Sequence, residues 1–117
     1  MTGYGIVILL LALARSYHVE TVASLATSRF THVEVVGTVT LVRQEPDGDW
    51  HVRLSDAAGR FIVCEIVPSF RVPTVVGAVA LVPPTLRQRV RVRGIRRYDA
   101  WHRWAEIHPV EGWAPAR

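Results

Sequence analysis

The sequence predicts a mainly β protein in which five strands follow an N-terminal α-helix. Apolar and polar residues alternate over five segments between residues 32 and 110, as they do in strands with one buried face. Segments containing glycine or proline separate these strands. Helical spacing of apolar residues is confined to the first 28 positions. With 117 residues, 50% of them hydrophobic, the chain can form one domain around one core.

The predicted helix covers residues 6–28, within an N-terminal unit of residues 1–30. Its second half repeats small apolar residues at helical spacing, at Val19, Val22, Ala23 and Ala26. Its first half is an apolar run of about ten residues that is too short to cross a membrane as a helix.

Three roles for residues 1–14 stay open. They could belong to a packing helix through which the chain forms a homo-oligomer, to an export signal or membrane anchor, or to a frayed arm. Ala12 and Ala14 match the small-residue pattern of a signal cleavage site, but no basic residue precedes the apolar run. We therefore favour a cytoplasmic protein, and expect export if residues 1–14 act as a leader.

The predicted strands span residues 32–44, 50–55, 60–67, 88–97 and 102–110. The connector 68–86 contains four prolines and is expected to hold at most a short helical or strand-like piece. Gly37 and Gly94 are expected to introduce bulges in the first and fourth strands. The side chains predicted to fill the core are Val35, Val39, Val52, Leu54, Ile62, Cys64, Ile66, Val90, Val92 and Ile107.

The strand pattern resembles the OB-fold, a five-stranded Greek-key barrel, over residues 32–110. Val33-Glu-Val-Val-Gly-Thr-Val39 and Val90-Arg-Val-Arg-Gly94 resemble the anticodon-binding-like OB domains. Asp47-Gly-Asp-Trp-His51 and Glu106-Ile-His-Pro-Val110 are similar to motifs of a group of bacterial OB-fold proteins without an assigned biochemical role. The resemblance implies a barrel domain over residues 31–117 and an oligonucleotide-binding face, but no particular activity.

Charge and aromatic residues favour a polyanionic partner, most specifically single-stranded nucleic acid. The chain has no lysine, and its arginines are outnumbered five to six by carboxylates in residues 1–60 but outnumber them nine to four afterwards. Arginine forks suit phosphate, and exposed aromatic rings stack on bases. The carboxylates of the 45–49 loop oppose this interpretation. The predicted ligand-binding residues are Arg53, Arg96, Arg97, Tyr98, Trp101, Arg103 and Trp104.

A second set of polar residues is predicted to share one face of the barrel. Its members are His51, Glu65, His102, Glu106 and His108. Imidazole and carboxylate groups could bind zinc or a similar ion. We favour a hydrogen-bonded structural network over a metal site for these residues. The alternative function is that of an exported or assembly protein of the same fold, in which this cluster is structural or binds a metal.

Enzymatic activity is not expected. The sequence has no Gly-rich phosphate loop, nucleophile elbow or His-Glu-x-x-His motif. The single cysteine, Cys64, excludes an internal disulfide and is predicted to face the core as an inert thiol. We therefore expect a non-catalytic binding module without a cofactor.

Overall fold

A computed structural model of the chain describes residues 15–117. These residues form eight strands and one short 3₁₀ helix, Leu25–Thr27. The strands are β1 (His18–Glu20), β2 (His32–Gln44), β3 (Trp50–Ser55), β4 (Phe61–Ile66), β5 (Arg71–Pro73), β6 (Ala78–Ala80), β7 (Arg89–Asp99) and β8 (Trp104–Pro115).

Five of these strands close into a barrel. Hydrogen bonding runs in the order β2-β3-β4-β8-β7, and β7 pairs again with β2 to complete the ring. The β4 and β8 pair is parallel, whereas the other four neighbouring pairs of the barrel are antiparallel. The predicted mainly β class is therefore confirmed, together with the five strands of the barrel.

The barrel closes because β2 is long enough to serve two partners. Its first half, from His32 to Thr38, pairs with β7, and its second half, from Thr38 to Gln44, pairs with β3. The sequence predicted a bulge at Gly37. The register instead shifts between Val39 and Leu41, so the bulge lies three residues further along the strand. Gly37 itself is regularly paired, and a Cβ there would lie 3.1 Å from the Cβ of Leu54. The absence of a side chain at Gly37 allows β2 and β3 to approach this closely.

The core follows the alternation of the strands. All ten side chains predicted to fill it are buried, each with at most 2% of its surface exposed. The bulge predicted at Gly94 is also confirmed, because the register between β7 and β8 shifts on both sides of this residue.

The predicted N-terminal α-helix is wrong for the residues that the structure describes. In place of its second half, β1 pairs in parallel with β2, from His18 opposite Val33 to Glu20 opposite Val35. A single 3₁₀ turn follows, in which Leu25 is fully buried in the barrel core. The free edge of β2 explains the difference, because its unpaired backbone groups are satisfied by a strand and not by a helix. Residues 6–14 of the predicted helix lie outside the described residues.

Two other elements differ from the sequence prediction. The connector contains a two-stranded hairpin, β5 and β6, with a turn between Thr74 and Gly77. The last strand begins at Trp104 rather than His102, because residues 100–103 form a turn after Asp99. It ends at Pro115 rather than at residue 110, because its last residues continue to pair with β7. None of the described residues belongs to a helix long and apolar enough to span a membrane.

Candidate functional site

Polar side chains converge on the outer surface of the barrel where β3, β4 and β8 lie side by side. Alternation directs Val52, Cys64 and Ile107 inward, so the neighbouring His51, Glu65, Glu106 and His108 point outward. His51 lies opposite Glu65 in the β3–β4 pair. The parallel pairing of β4 with β8 brings Glu106 and His108 to the same region, although they are more than forty residues further along the chain.

Glu65 is the centre of this polar cluster. Its carboxylate contacts Nε2 of His51 with one oxygen, and its other oxygen lies 2.7 Å from Nδ1 of His108. Only 9% of the residue is exposed. Its ion-pair partners among the described residues are both histidines, so no permanently charged cation neutralises this carboxylate.

Glu106 and Glu45 extend the cluster in two directions. Glu106 is buried, lies 3.6 Å from Nδ1 of His108 and accepts a 2.8 Å hydrogen bond from Nε1 of Trp104. Glu45 lies 3.2 Å from Nδ1 of His51 and accepts hydrogen bonds from the guanidinium of Arg43. The histidines therefore connect carboxylates from the loop before β3, from β4 and from β8.

The β2–β3 loop brings a further carboxylate to the cluster. Gly48 has a φ of +94°, a left-handed conformation that glycine adopts without strain, and its N–H bonds the carbonyl of Glu45. The backbone N–H of Asp49 donates to the side chain of Asp47. This turn places Asp49 beside the strands, where ligand atoms of Asp49, Glu65 and His108 all lie within 4.8 Å of one another.

A groove lies beside the polar cluster, and Asp99, which lines it, organises the β7–β8 loop. Its carboxylate accepts hydrogen bonds from the backbone N–H groups of Trp101 and His102 and from Nδ1 of His102, the last at 2.7 Å. The side-chain hydrogen bond from His102, followed by the backbone bond, holds the pKa of Asp99 below its ordinary value. The loop presents Trp101 with 89% of its surface exposed.

Aromatic rings and one guanidinium form a continuous row of contacts across the outer surface, which we call the aromatic ladder. The guanidinium of Arg53 lies 4.0 Å from the ring centre of Phe61. Phe61 contacts Trp104 edge to face at 5.9 Å, and Trp104 stacks on His102 at 4.5 Å. The ladder thus runs from β3 across β4 and β8 to the loop that carries Trp101.

The structure brings four of the five predicted cluster residues into direct contact. His51, Glu65, Glu106 and His108 form one network. His102 lines the same groove, which has a volume of about 460 Å³, but its ring nitrogen is bonded to Asp99.

The predicted ligand-binding residues divide into several environments. Arg53 and Trp104 belong to the ladder, and Arg97 lies 3.5 Å from the His108 ring. Tyr98 and Arg103 are exposed near the same loop. Arg96 instead donates hydrogen bonds to the backbone carbonyls of Leu25 and Ala26. Arg96 thus binds the segment that precedes the barrel. Its side chain does not line the groove.

Sequence reasoning left three residues of this region out of the predicted site. Asp49 precedes His51 by two positions, so the same alternation that exposed His51 could have placed Asp49 on this face. Phe61 lies four positions before Glu65 on the same strand, so alternation could have placed Phe61 on this face as well. The contact between Glu45 and His51 carried no such signal, because it depends on the shape of the loop.

The fold and these contacts define a closed five-stranded barrel with a histidine–carboxylate cluster and an aromatic ladder on its outer surface. No protein-family model matches the chain, and no significant match is found among curated proteins.

Proposed function

We propose that the protein is a non-catalytic OB-like module that binds single-stranded nucleic acid along the aromatic ladder. Two features of the barrel support the OB-like assignment: the strand order and the single parallel pair within an otherwise antiparallel ring. In such barrels oligonucleotides lie across the second and third strands, which correspond here to β3 and β4. The ladder crosses these two strands.

The ladder is the observation that carries the proposal. Unpaired bases stack on aromatic side chains irrespective of sequence, because every base has a π-face. Phe61, Trp104 and His102 provide neighbouring rings, and Trp101 is almost fully exposed at the end of the row. A duplex hides its base faces, so this surface favours single strands.

The distribution of unpaired arginines supports the same ligand. Arg53, Arg97 and Arg103 have no carboxylate within ion-pair distance in the described part of the chain. By contrast, Arg91 and Arg93 on β7 both pair with Glu34. Guanidinium groups beside stacking rings can bind the phosphates between stacked bases.

The alternative of an exported or assembly protein depends on residues 1–14. These lie outside the described residues, and the contacts of the barrel do not bear on that alternative. Their apolar run stays compatible with self-association or with a membrane, as expected from the sequence.

The proposal is tested by fluorescence anisotropy with short labelled DNA and RNA oligonucleotides and with the matched duplexes. Single strands should bind more tightly than duplexes. The logarithm of affinity should fall with the logarithm of salt concentration with a slope of about −2, if three arginines each contact a phosphate. Trp101→Ala should lower affinity by about 1–3 kcal/mol through loss of one stacked base, and Arg97→Ala should lower it and flatten the salt dependence.

Matched controls separate this surface from general charge and hydrophobicity. Phe30→Ala removes an exposed aromatic side chain that stacks on His18, outside the ladder. Arg71→Ala removes an exposed arginine on β5. Both should leave affinity unchanged. Equal affinity for wild type, Trp101→Ala and Arg97→Ala would contradict the proposal.

A further inference from the structure

We propose that Asp49, Glu65 and His108 form a binding site for a divalent transition-metal ion of the zinc type. The inference is independent of nucleic-acid binding, because none of these three residues belongs to the aromatic ladder. It rests on the ligand set, on the charge of the cluster and on the space around it.

The ligand set is appropriate for such an ion. Two carboxylates and one imidazole come from three separate elements, the β2–β3 loop, β4 and β8, and their ligand atoms lie within 4.8 Å of one another. Zinc is bound by histidine nitrogen and carboxylate oxygen, and sites with three protein ligands keep a further position open for water or another ligand. Hard cations such as Mg²⁺ prefer oxygen ligands alone, so the imidazole favours a transition metal.

The charge of the cluster calls for a cation. Glu65 and Glu106 are both buried, and Asp49 makes no ion pair among the described residues. The nearest arginine, Arg97, contacts the ring of His108 at 3.5 Å, and Arg43 is already paired with Glu45. Buried carboxylates are costly unless they are paired or coordinate a metal. A divalent ion between Asp49 and Glu65 would pair with both carboxylates.

Supporting contacts already position one of the ligands, Glu65. His51 holds one oxygen of Glu65 and is itself held by Glu45, so the Glu65 carboxylate is oriented from the side opposite His108. Partners of this kind orient metal ligands in many sites. Glu65 and His108 both line a groove of about 320 Å³, which leaves room for water on a bound ion.

The test is isothermal titration of the metal-free full-length chain with Zn²⁺, with Mg²⁺ and Ca²⁺ in parallel titrations. Zinc should bind with a stoichiometry of about one ion per chain and should raise the melting temperature. Asp49→Asn and His108→Gln should each reduce zinc affinity by more than about tenfold, since the loss of even an indirect partner commonly costs that much. Asp49 is partly exposed, so Asp49→Asn keeps the test valid if changes at Glu65 prevent folding.

Two matched variants control for unspecific binding. Asp56→Asn removes a carboxylate from the β3–β4 loop, and His102→Gln removes a histidine from the groove of about 460 Å³ that Glu65 also lines. Both should retain wild-type zinc affinity, as should Trp101→Ala, whose predicted effect is on oligonucleotides alone. The proposal is overturned if zinc does not bind stoichiometrically, if only Mg²⁺ or Ca²⁺ binds, or if the controls lose as much affinity as the ligand variants.

Discussion

Cys64 and Glu65 are neighbours in the chain, yet alternation along β4 sends their side chains to opposite sides of the barrel wall. Cys64 packs among the core residues with 1% of its surface exposed. Glu65 lies on the outer face between two histidines. A shift of register by one residue would exchange these environments, exposing a thiol and burying a carboxylate in the apolar core.

The Cys64 thiol should not react with thiol reagents in the folded protein. Burial raises the pKa of this thiol well above its ordinary range, so the nucleophilic thiolate is scarce and also inaccessible. Alkylation followed by mass spectrometry at mildly alkaline pH should show no modification without denaturant and full modification in urea. Rapid modification of the native protein would place Cys64 on the surface and contradict the strand register.

The β7–β8 loop depends on a single carboxylate, which links its order to pH. Asp99 binds two backbone N–H groups and His102, and the His102 hydrogen bond is the main reason that its pKa is lowered. For a lowered carboxyl pKa, the stabilisation is fully present above the ordinary value of 3.8 and is lost as pH falls through the lowered value.

We therefore expect the loop to lose order only in strong acid. An NMR titration of the Asp99 carboxyl should give a midpoint below that of a peptide containing residues 96–104. Amide protection of Trp101 and His102 should decrease over the same range. His102→Ala should return the midpoint toward the peptide value, and an unchanged midpoint in this variant would contradict the assigned cause.

The crossing of β7 and β8 leaves no room for a side chain at Gly94. A Cβ there would collide with the carbonyl oxygen of Pro109 and lie 2.6 Å from a methyl carbon of Ile107. Because the nearest atom belongs to the backbone, relieving this clash would require a shift of the β8 backbone, which costs free energy. The bulge in β7 and the absence of a side chain at Gly94 thus both allow β7 and β8 to approach closely at this point.

Gly94→Ala should lower the free energy of unfolding by about 1–3 kcal/mol, the usual cost of overpacking. Gly112→Ala is the matched control on β8, because a Cβ at that position meets nothing within 4 Å. Its effect should stay within about 0.5 kcal/mol. Urea denaturation of both variants checks this, and equal midpoints would show that the crossing tolerates a methyl group.

The segment ahead of the barrel packs into the barrel core. Leu25 is completely buried among barrel residues, and Arg96 from β7 donates to the carbonyl of Leu25. Val22 joins the same core. Val22 and Leu25 therefore complete the core of the five strands, and removing them would expose the apolar side chains packed against them.

Leu25→Ala should destabilise the whole domain by about 2–5 kcal/mol, because it removes buried methyl groups and leaves a cavity. Leu86→Ala makes the same chemical change at a side chain that is 59% exposed, and should change stability by less than about 0.5 kcal/mol. Chemical denaturation monitored by tryptophan fluorescence distinguishes the two. Similar small effects would mean that the segment packs only loosely on the barrel.

The prediction of the N-terminal helix failed because periodicity is a local signal. Val19 and Val22 repeat at helical spacing, yet Val19 is exposed on β1 and only Val22 reaches the core. The deciding interaction lies elsewhere in the sequence. Residues 33–35 of β2 have β7 on one side and no β3 partner on the other, so β1 pairs with the edge that remains.

Within the barrel, alternation was sufficient to predict the five strands and their buried faces, but not every strand end, since β8 runs from Trp104 to Pro115 and not over residues 102–110. Burying every second residue is a property of each strand separately, and it can be read from a few consecutive residues. The outward direction of His51, Glu65, Glu106 and His108 followed from the same rule. Their mutual contacts did not, because those depend on strand register and on which strands become neighbours.

The polar cluster therefore depends both on the local sequence of each strand and on the tertiary structure. The sequence alone places Glu65 and His108 on one surface of the barrel, whereas Asp49 was not part of that prediction. Barrel closure specifies that they meet, since the parallel pairing of β4 with β8 and the turn at Gly48 bring distant segments within 4.8 Å. Contacts between distant segments depend on the summed packing of the core and the hydrogen bonding of all five strands, which no local stretch of sequence contains.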